Sequence, residues 1–328
     1  MSQPDPAQLL RQMAAGHVLP RCLHVVAELG VADALDDTPR TAAELAPAVG
    51  ADADALHRVL RLLAAHGVFE LNGAKFGHSA ASHLLRSDHP RSMRPLARMM
   101  GLPINWATYG MFEHAVRTGH PAAEQVVAGG FWAHLEQHPE EAAIFNAAME
   151  ARARLQVAAV IAAYDFSPFA VIGDIGGGRG HLLRAALDAA PKAKGVLFDL
   201  PHVVQEVAPS DRLALHGGDF FKDELPVCDA YLVMEVIHDW GDVDTLAILH
   251  AIRRAATPAA RLLLVEWILT DDPGPQWTKT IDVHMLAVAG GRQRSLEEFR
   301  SLLDRTDFHL KREIATTAGI SIIEAVSI

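Results

Sequence analysis

Cysteine is scarce in this chain: only two occur among 328 residues, and Cys22 and Cys228 lie far apart. This excludes a disulfide framework and any metal site built on a CxxC pair, and it is typical of a reducing compartment. No apolar run of 18 residues is free of charge, so we expect no membrane span. Residues 1–5 have no basic stretch leading into an apolar core, so we expect no signal peptide and a cytoplasmic location.

Basic residues are also in the minority, because 29 Lys and Arg stand against 40 Asp and Glu, for a formal net charge of −11. An acidic protein repels phosphate backbones, so we expect no nucleic-acid partner. With 50% hydrophobic and 21% charged residues, the composition is that of a globular protein. The length favours two domains over one.

The chain changes character along its length. Residues 6–36 have helical spacing of apolar residues, and we expect Pro20 to kink or divide this helix. Residues 84–165 are predicted to be mainly helical. From Phe166 onward, short apolar runs alternate with helical stretches, which is typical of a Rossmann-like, doubly wound parallel sheet. The prediction is therefore an α/β fold in three parts, over residues 1–100, 101–165 and 166–328.

In the first part, residues 1–100, the sequence predicts a winged helix. Thr41-Ala-Ala-Glu44 is a capping-box pattern at the start of one helix, and Asp52 or Asp54 begins a second. Asn72-Gly73 then indicates a hairpin turn between two short strands. Helix, turn, helix and hairpin together form the winged-helix pattern.

A winged helix can read DNA, so that function has to be weighed. Asp52 and Asp54 lie at the N-terminal end of the second helix, where a recognition helix would meet the bases. Residues 1–100 also carry as many acidic as basic residues. We therefore favour packing or dimerisation for this domain, and keep a DNA-binding regulator as an alternative.

The sharpest local pattern is an apolar strand that runs into clustered glycines at 171–183. Glycines permit positive φ and let a ligand lie against bare backbone, and the following helix N-terminus favours negative charge. The spacing Gly176-x-Gly178-x-Gly180 places His181 where the dinucleotide fingerprint GxGxxG has its last glycine. This departure argues against a pyrophosphate ligand.

Two acidic residues follow at the ends of later segments. Asp199 ends the apolar run 195–198, at the distance that suits a ribose diol. Asp219 ends a further segment and could meet an adenine amine. Together with the glycine turn they predict a nucleoside ligand without a diphosphate; the structural alternative is an ordinary tight turn between strand and helix.

Eight short motifs follow one another along the chain, and their order as well as their residues resemble those of one enzyme family. They are Glu28–Asp33, Phe131-Trp132, His138–Glu140, Phe145–Met149, Asp174–Gly180, Phe198–Pro201, Gly218–Phe221 and Ile237–Trp240. Nearly the whole chain resembles the S-adenosylmethionine (SAM)-dependent O-methyltransferases of small molecules. This family includes plant caffeate and acetylserotonin methyltransferases and many bacterial natural-product enzymes.

The resemblance implies a homodimer that methylates a hydroxyl of a small aromatic or polyketide-like metabolite, with the N-terminal domain as its dimerisation domain. In such enzymes the partner chain can close the acceptor pocket. The implied SAM-binding residues are Gly176, Gly178, Asp199, Leu200, Asp219, Phe220 and Glu235. The implied acceptor-binding residues are Phe145, Met149 and Met285.

His238 is the implied general base. It ends the strand-like run 231–237, and ligands of open α/β sheets bind at the carboxyl ends of the strands. A histidine with a pKa of about 6.5 suits the removal of a hydroxyl proton. A catalytic base needs a partner on its second nitrogen, and the resemblance assigns that task to Glu266 and to the residue at position 293.

The chain departs from the family at two places. Position 293 is Gln where the family has Glu, and an amide brings no charge to stabilise an imidazolium. Glu235 and Met234 stand where the family usually has Lys or Arg. These departures keep open a SAM-binding enzyme that performs hydroxylation, decarboxylation or cyclisation instead of methyl transfer.

We expect no metal. His134 and His138 have the spacing of a helical pair of ligands, but Leu135 stands where the HExxH motif requires Glu. Pro139 also limits the helix.

Overall fold

The computed structural model describes residues 5–328, so the expectation that concerns residues 1–4 lies outside the described part. The chain divides into two compact units. The first ends at Trp106 and also includes His134–Ala151, and the second consists of Ala107–Ala133 and Arg152–Ile328. The three-part division made from the sequence stays a prediction. Among the described residues, no helix is both long and apolar enough to cross a membrane.

The first unit begins with three helices: α1 (Pro6–Ala14), α2 (Val18–Glu28) and α3 (Val31–Ala34). A division of the helix at Pro20 is wrong, because the chain leaves the helix at residues 15–17 instead. Pro20 is the third residue of α2. The N–H groups of a first helical turn have no partner within the helix, so a proline there costs no hydrogen bond.

The winged helix consists of β1 (Arg40–Thr41), α4 (Ala42–Val49), α5 (Ala53–Ala65), β2 (Phe69–Asn72) and β3 (Lys75–His78). The three strands form a small sheet in the order β1-β3-β2. Thr41 and Glu44 make the expected capping box, and Asp52 caps α5 by accepting the N–H of Ala55. The hairpin turn is Gly73-Ala74, one residue later than expected, because Asn72 is the last paired residue of β2.

Apolar side chains of these elements share one core, in which Leu45, Leu60, Leu63 and Phe76 are fully buried. The segment that follows is mainly helical, as predicted. It contains α6 (Ala80–His83), α7 (Arg94–Met100), α8 (Pro103–Gly110), α9 (Phe112–Thr118), the 3₁₀ helix Ala122–Gln125, α10 (Gly130–Gln137) and α11 (Pro139–Ala163).

A seven-stranded sheet organises the second unit. In sequence order its strands are β4 (Val171–Ile175), β5 (Lys194–Asp199), β6 (Leu213–Gly217), β7 (Ala230–Met234), β8 (Arg261–Glu266), β9 (Phe308–Ala315) and β10 (Ser321–Ser327). Their spatial order is β6-β5-β4-β7-β8-β10-β9. The first five are parallel, and β10 pairs antiparallel with both β8 and β9. The predicted α/β fold is confirmed.

Helices flank this sheet: α12 (His181–Ala189), α13 (Pro201–Val204), α14 (Asp242–Ala255), α15 (Trp277–Val288) and α16 (Leu296–Asp304). Successive residues of β7 enter different cores, since Tyr231 and Val233 pack in one apolar cluster and Leu232 packs in another. The sheet is therefore covered on both faces. The strand order reverses between β4 and β7, and the carboxyl ends of strands at such a switch point form the usual ligand crevice.

Candidate active site

The glycine turn follows directly after β4. The N–H of Gly176 donates to the carbonyl of Phe198 at 2.8 Å. Gly176 has a φ of +68°, and a Cβ there would lie 2.9 Å from Cγ2 of Val236. Gly178 has a φ of +57°, and a Cβ there would meet no atom within 4 Å. Gly176 is thus required by backbone and by space, whereas Gly178 is required by its backbone alone.

Asp199 ends β5 and holds this turn. Its Oδ2 accepts the N–H of Gly178 and its Oδ1 the N–H of Leu200, both at 2.7 Å. Burial raises the pKa of Asp199 in spite of these two donors. Burial and the charge of Asp199 also raise the pKa of the fully buried Asp174 to about 7. The turn therefore presents one oriented carboxylate, with the exposed side chain of Leu200 beside it in sequence.

Asp219 and Phe220 follow β6. Asp219 accepts the N–H of Phe221 at 2.9 Å and the ammonium of Lys222 at 2.7 Å, and Lys222 lowers the pKa of the Asp219 carboxyl. The Phe220 ring reaches within 3.8 Å of the position of a Cβ on Gly176. Phe220 therefore lies beside the glycine turn, while the Asp219 carboxylate already has a cationic partner.

His238 lies in the 3₁₀ helix Ile237–Asp239, just after β7. Its Nδ1 is 2.8 Å from Oε2 of Glu266, whose Oε1 accepts the N–H of Ile237 at 2.9 Å. Glu266 ends β8, and because β7 and β8 are parallel neighbours their carboxyl ends meet. The side chain of His238 is only 7% exposed, so the ring is held in one orientation.

Asp239 faces the other ring nitrogen, with its Oδ1 3.4 Å from Nε2 of His238. Burial lowers the pKa of His238, but the carboxylates of Glu266 and Asp239 outweigh burial and raise the pKa to about 9. Burial raises the pKa of Asp239 to about 6 against the opposing charge of His238. A carboxylate at each nitrogen stabilises the imidazolium form of His238.

Arg294 is a residue of this site that sequence reasoning missed. Its fully buried guanidinium donates to the carbonyls of Ile237 and Trp240, to Asp242 and to the hydroxyl of Thr245, at distances of 2.8 to 3.2 Å. It thereby fixes the loop that carries His238. No local pattern marks it, because its acceptors lie about fifty residues earlier in the chain.

The hydrogen bond expected between Gln293 and the histidine is not made among the described residues. The side chain of Gln293 is 1% exposed, and neither amide atom has a hydrogen-bond partner within residues 5–328. Its backbone N–H donates to Asp282 at 2.8 Å. Across that part of the chain no hydrogen bond joins Gln293 to His238. The Gln293 amide is thus a buried donor and acceptor that a ligand could satisfy.

Glu235 is the residue between β7 and the His238 loop, and it has a φ of +52°. Its carboxylate lies 3.0 Å from Nη2 of Arg152 and accepts the indole N–H of Trp267 at 3.1 Å. Sequence reasoning missed Arg152, which comes from α11. The positive charge expected at position 234 or 235 thus comes from a helix.

The expected acceptor-binding residues are distributed over both units. Met285 is half-buried on α15, next to His284, whose Nδ1 is 2.9 Å from the hydroxyl of Tyr109. Burial lowers the pKa of His284 to about 4, which keeps this histidine neutral. Phe145 and Met149 lie one turn apart on α11, half-buried in the first unit. Their role stays a prediction.

The two histidines considered as metal ligands also lie in the first unit. Their rings stack at 3.9 Å, and Nε2 of His134 lies 3.0 Å from Glu141. Over residues 5–328, no group of three or more His, Cys, Asp or Glu side chains could hold a metal ion. Glu141 is thus a carboxylate partner of His134.

Two family models match the chain. One is an O-methyltransferase domain over residues 109–309, and the other is an O-methyltransferase dimerisation domain over residues 11–88. Among similar proteins, the phenazine O-methyltransferase PhzM of Lysobacter antibioticus is 39% identical over 327 residues, which are 97% of this chain and 96% of that protein.

Two further comparisons extend this similarity. The mitomycin biosynthesis 6-O-methyltransferase of Streptomyces lavendulae is 37% identical and covers 93% of this chain and 90% of its own length. The O-methyltransferase NcsB1, solved with S-adenosylmethionine and 2-hydroxy-5-methyl naphthoic acid, superposes with a TM-score of 0.82 at 31% identity. That alignment covers 95% of this chain and 96% of NcsB1.

Proposed function

The chain belongs to the O-methyltransferase family and is a SAM-dependent O-methyltransferase, and we propose that it uses His238 as the general base to methylate a hydroxyl of a small aromatic or polyketide-like metabolite. The observation that carries this proposal is the His238–Glu266 pair at the carboxyl edge of the sheet, where Val236 lies 2.9 Å from the position of a Cβ on Gly176. The named acceptor classes of the relatives, phenazines and a naphthoic acid, support an aromatic acceptor.

The residues around the glycine turn fit SAM. Gly176 and Gly178 leave bare backbone, and Asp199 presents a carboxylate that suits a ribose diol. Phe220 adds an apolar ring beside the turn, and Leu200 an exposed side chain. When bound, SAM supplies an electrophilic methyl group on a sulfonium. We assign its binding to these residues together with Asp219 and Glu235.

The Nε2 atom of His238 then takes the proton from the hydroxyl of the acceptor. Glu266 holds Nδ1 and supplies a negative charge to the imidazolium that forms. The pKa of His238, about 9, lies close to the pKa of a phenol, about 10. Proton transfer between such groups is nearly balanced, and general-base assistance contributes about 10²–10⁴-fold. Phe145, Met149 and Met285 are proposed to hold the acceptor.

Product mass tests the reaction. The purified protein is incubated with SAM and a panel of hydroxylated phenazines, naphthoates and benzoates, and products are analysed by mass spectrometry. A gain of one CH₂ supports methyl transfer to the acceptor. A different mass change supports the alternative chemistry of hydroxylation, decarboxylation or cyclisation. Calorimetry with S-adenosylhomocysteine is run in parallel, and absence of binding contradicts the proposal.

The general base is tested by His238→Ala with His250→Ala as its control, because His250 is exposed on α14 in the same unit. We expect His238→Ala to lower turnover by about 10²–10⁴-fold and to leave S-adenosylhomocysteine affinity nearly unchanged. His250→Ala is expected to match the wild type. Unchanged turnover of His238→Ala would remove the base role.

We also propose that the dimerisation domain at residues 11–88 joins two copies of this chain. The apolar stripe of α1 supports this proposal, because Leu9, Leu10 and Met13 are exposed. Asp52 and Asp54 disfavour DNA at the start of α5. Sedimentation is expected to give a dimer, and a monomer at micromolar concentration contradicts this. Sequence-specific, salt-sensitive DNA binding in a gel shift would favour the regulator instead.

A further inference from the structure

Glu235 and Arg152 form an ion pair beside the glycine turn. Glu235 follows β7 directly and Gly176 follows β4 directly, and these strands are parallel neighbours. The next residue, Val236, lies 2.9 Å from the position of a Cβ on Gly176. The carboxylate of Glu235 and the bare backbone of Gly176 thus belong to the same edge of the sheet.

The backbone at Glu235 is strained. A φ of +52° is unusual for a residue with a side chain. Such strain persists where the surroundings impose it, and it concentrates at ligand sites. Here the N–H of Glu235 donates to the carbonyl of Val265 at 3.0 Å, and the carboxylate is held by Arg152 and Trp267. The strand end therefore presents one acidic side chain in a fixed place.

The pair combines a buried anion with a partly accessible cation. The Glu235 side chain is 9% exposed and that of Arg152 is 26% exposed. The guanidinium contacts Glu235 through Nη2, and an arginine has five N–H donors in a fork that matches a carboxylate. Arg152 can therefore maintain its ion pair with Glu235 and donate hydrogen bonds to a second anion at the same time.

We propose that this pair binds the amino-acid end of SAM, with Glu235 accepting from the ammonium and Arg152 donating to the carboxylate. This inference rests on the proposed function, since it assigns one end of the same ligand. An amino-acid end carries one charge of each sign and is complementary to an acid–base pair. A purely anionic ligand would be repelled by Glu235. The charge at this strand end is acidic where the family resemblance leads one to expect a base, and α11 supplies the base instead.

Two nucleosides distinguish the loss of binding to the amino-acid end from a general disturbance of the site. S-adenosylhomocysteine carries the amino-acid end, and 5′-methylthioadenosine lacks it but keeps the adenosine and the thioether. Calorimetry is performed with both ligands on the wild type, Glu235→Gln and Arg152→Met. We expect each variant to lose about 10- to 100-fold in affinity for S-adenosylhomocysteine, the usual effect of losing a charged hydrogen bond. Affinity for 5′-methylthioadenosine is expected to change less than twofold.

A matched control is the exposed pair of Arg300 and Glu297 on α16. Glu297→Gln removes an equivalent charge without touching the glycine turn and is expected to bind both nucleosides like the wild type. Arg152→Lys keeps the charge but loses the fork, so it is expected to recover part of the affinity for S-adenosylhomocysteine.

The remaining outcomes contradict the inference in distinguishable ways. Equal losses for both nucleosides would mean that the pair only shapes the turn, which overturns the assignment to the amino-acid end. Unchanged affinities in both variants would overturn it as well. A wild-type protein that binds neither nucleoside would overturn the proposed function together with this inference.

Discussion

Glu266 orients His238 twice, once through the ring and once through the backbone. Its Oε2 lies 2.8 Å from Nδ1 of His238, and its Oε1 accepts the N–H of Ile237 at 2.9 Å. Because Glu266 is fully buried at the end of β8, the ring cannot turn without breaking a charged hydrogen bond. This leaves Nε2 as the nitrogen available for an acceptor hydroxyl, in competition with Asp239.

The pKa of His238 predicts the pH dependence of the reaction. A general base works only in its deprotonated form, and the carboxylates of Glu266 and Asp239 raise the pKa of His238 to about 9 against the opposing effect of burial. The value of kcat/KM for an acceptor that stays un-ionised is therefore expected to rise about tenfold from pH 7 to pH 8, about fivefold from pH 8 to pH 9, and then to level off. Initial rates at saturating SAM measure this. A profile that is flat from pH 7 to pH 9 would contradict it.

Glu266→Gln tests the same relationship from the other partner. In this variant, we expect the oxygen of the introduced amide to go on accepting the N–H of Ile237. The NH₂ group of the amide then faces Nδ1 of His238. Nδ1 must then accept, so Nε2 carries the proton and cannot take another. We expect turnover to fall on the order of 10²–10⁴-fold.

The control for this variant is Glu297→Gln, at an exposed glutamate. Affinity for S-adenosylhomocysteine is the second readout and is expected to stay near the wild-type value in both variants. Turnover of Glu266→Gln within threefold of the wild type would show that Glu266 does not set the tautomer of His238.

Strand topology explains how much of this site could be predicted. Asp199, His238 and Glu266 each follow or end a strand, and the carboxyl ends of neighbouring parallel strands meet at one edge. Arg152 and Arg294 could not be found in this way, because each reaches the site from an element far away in sequence. Local pattern also failed at Pro20, where the position of a proline within a helical turn decides whether it interrupts the helix.

The pairing of Gln293 with His238 was expected from resemblance, and it depends on side-chain direction. The residue is buried as a partner of the histidine would be. Its amide nevertheless makes no hydrogen bond among the described residues. One sequence contains no information about where that side chain points, so the expected contact rested on the family alone.

The two glycines of the turn give a graded prediction about stability. Gly178→Ala places a methyl group in open space and meets only the cost of positive φ, about 1–2 kcal/mol. Gly176→Ala meets the same backbone cost and also a contact of 2.9 Å with Val236. Thermal unfolding is therefore expected to show a larger loss of stability for Gly176→Ala. Adding Val236→Ala to Gly176→Ala is expected to restore part of that difference, and equal losses in the two single variants would contradict the contact.

Gln293 predicts a conflict between stability and function. Two amide atoms without hydrogen-bond partners are costly to bury, at about 1–3 kcal/mol for an unsatisfied group. Gln293→Met keeps a similar volume and removes both polar atoms, so we expect the ligand-free protein to unfold at a higher temperature, by about 1 kcal/mol of added stability. If the amide serves the acceptor, KM for the acceptor rises while S-adenosylhomocysteine affinity is unchanged. Gln205→Met, at an exposed glutamine, is the control and is expected to change neither value. A Gln293→Met protein that is less stable than the wild type without ligand would show that the amide has partners in solution, such as bound water.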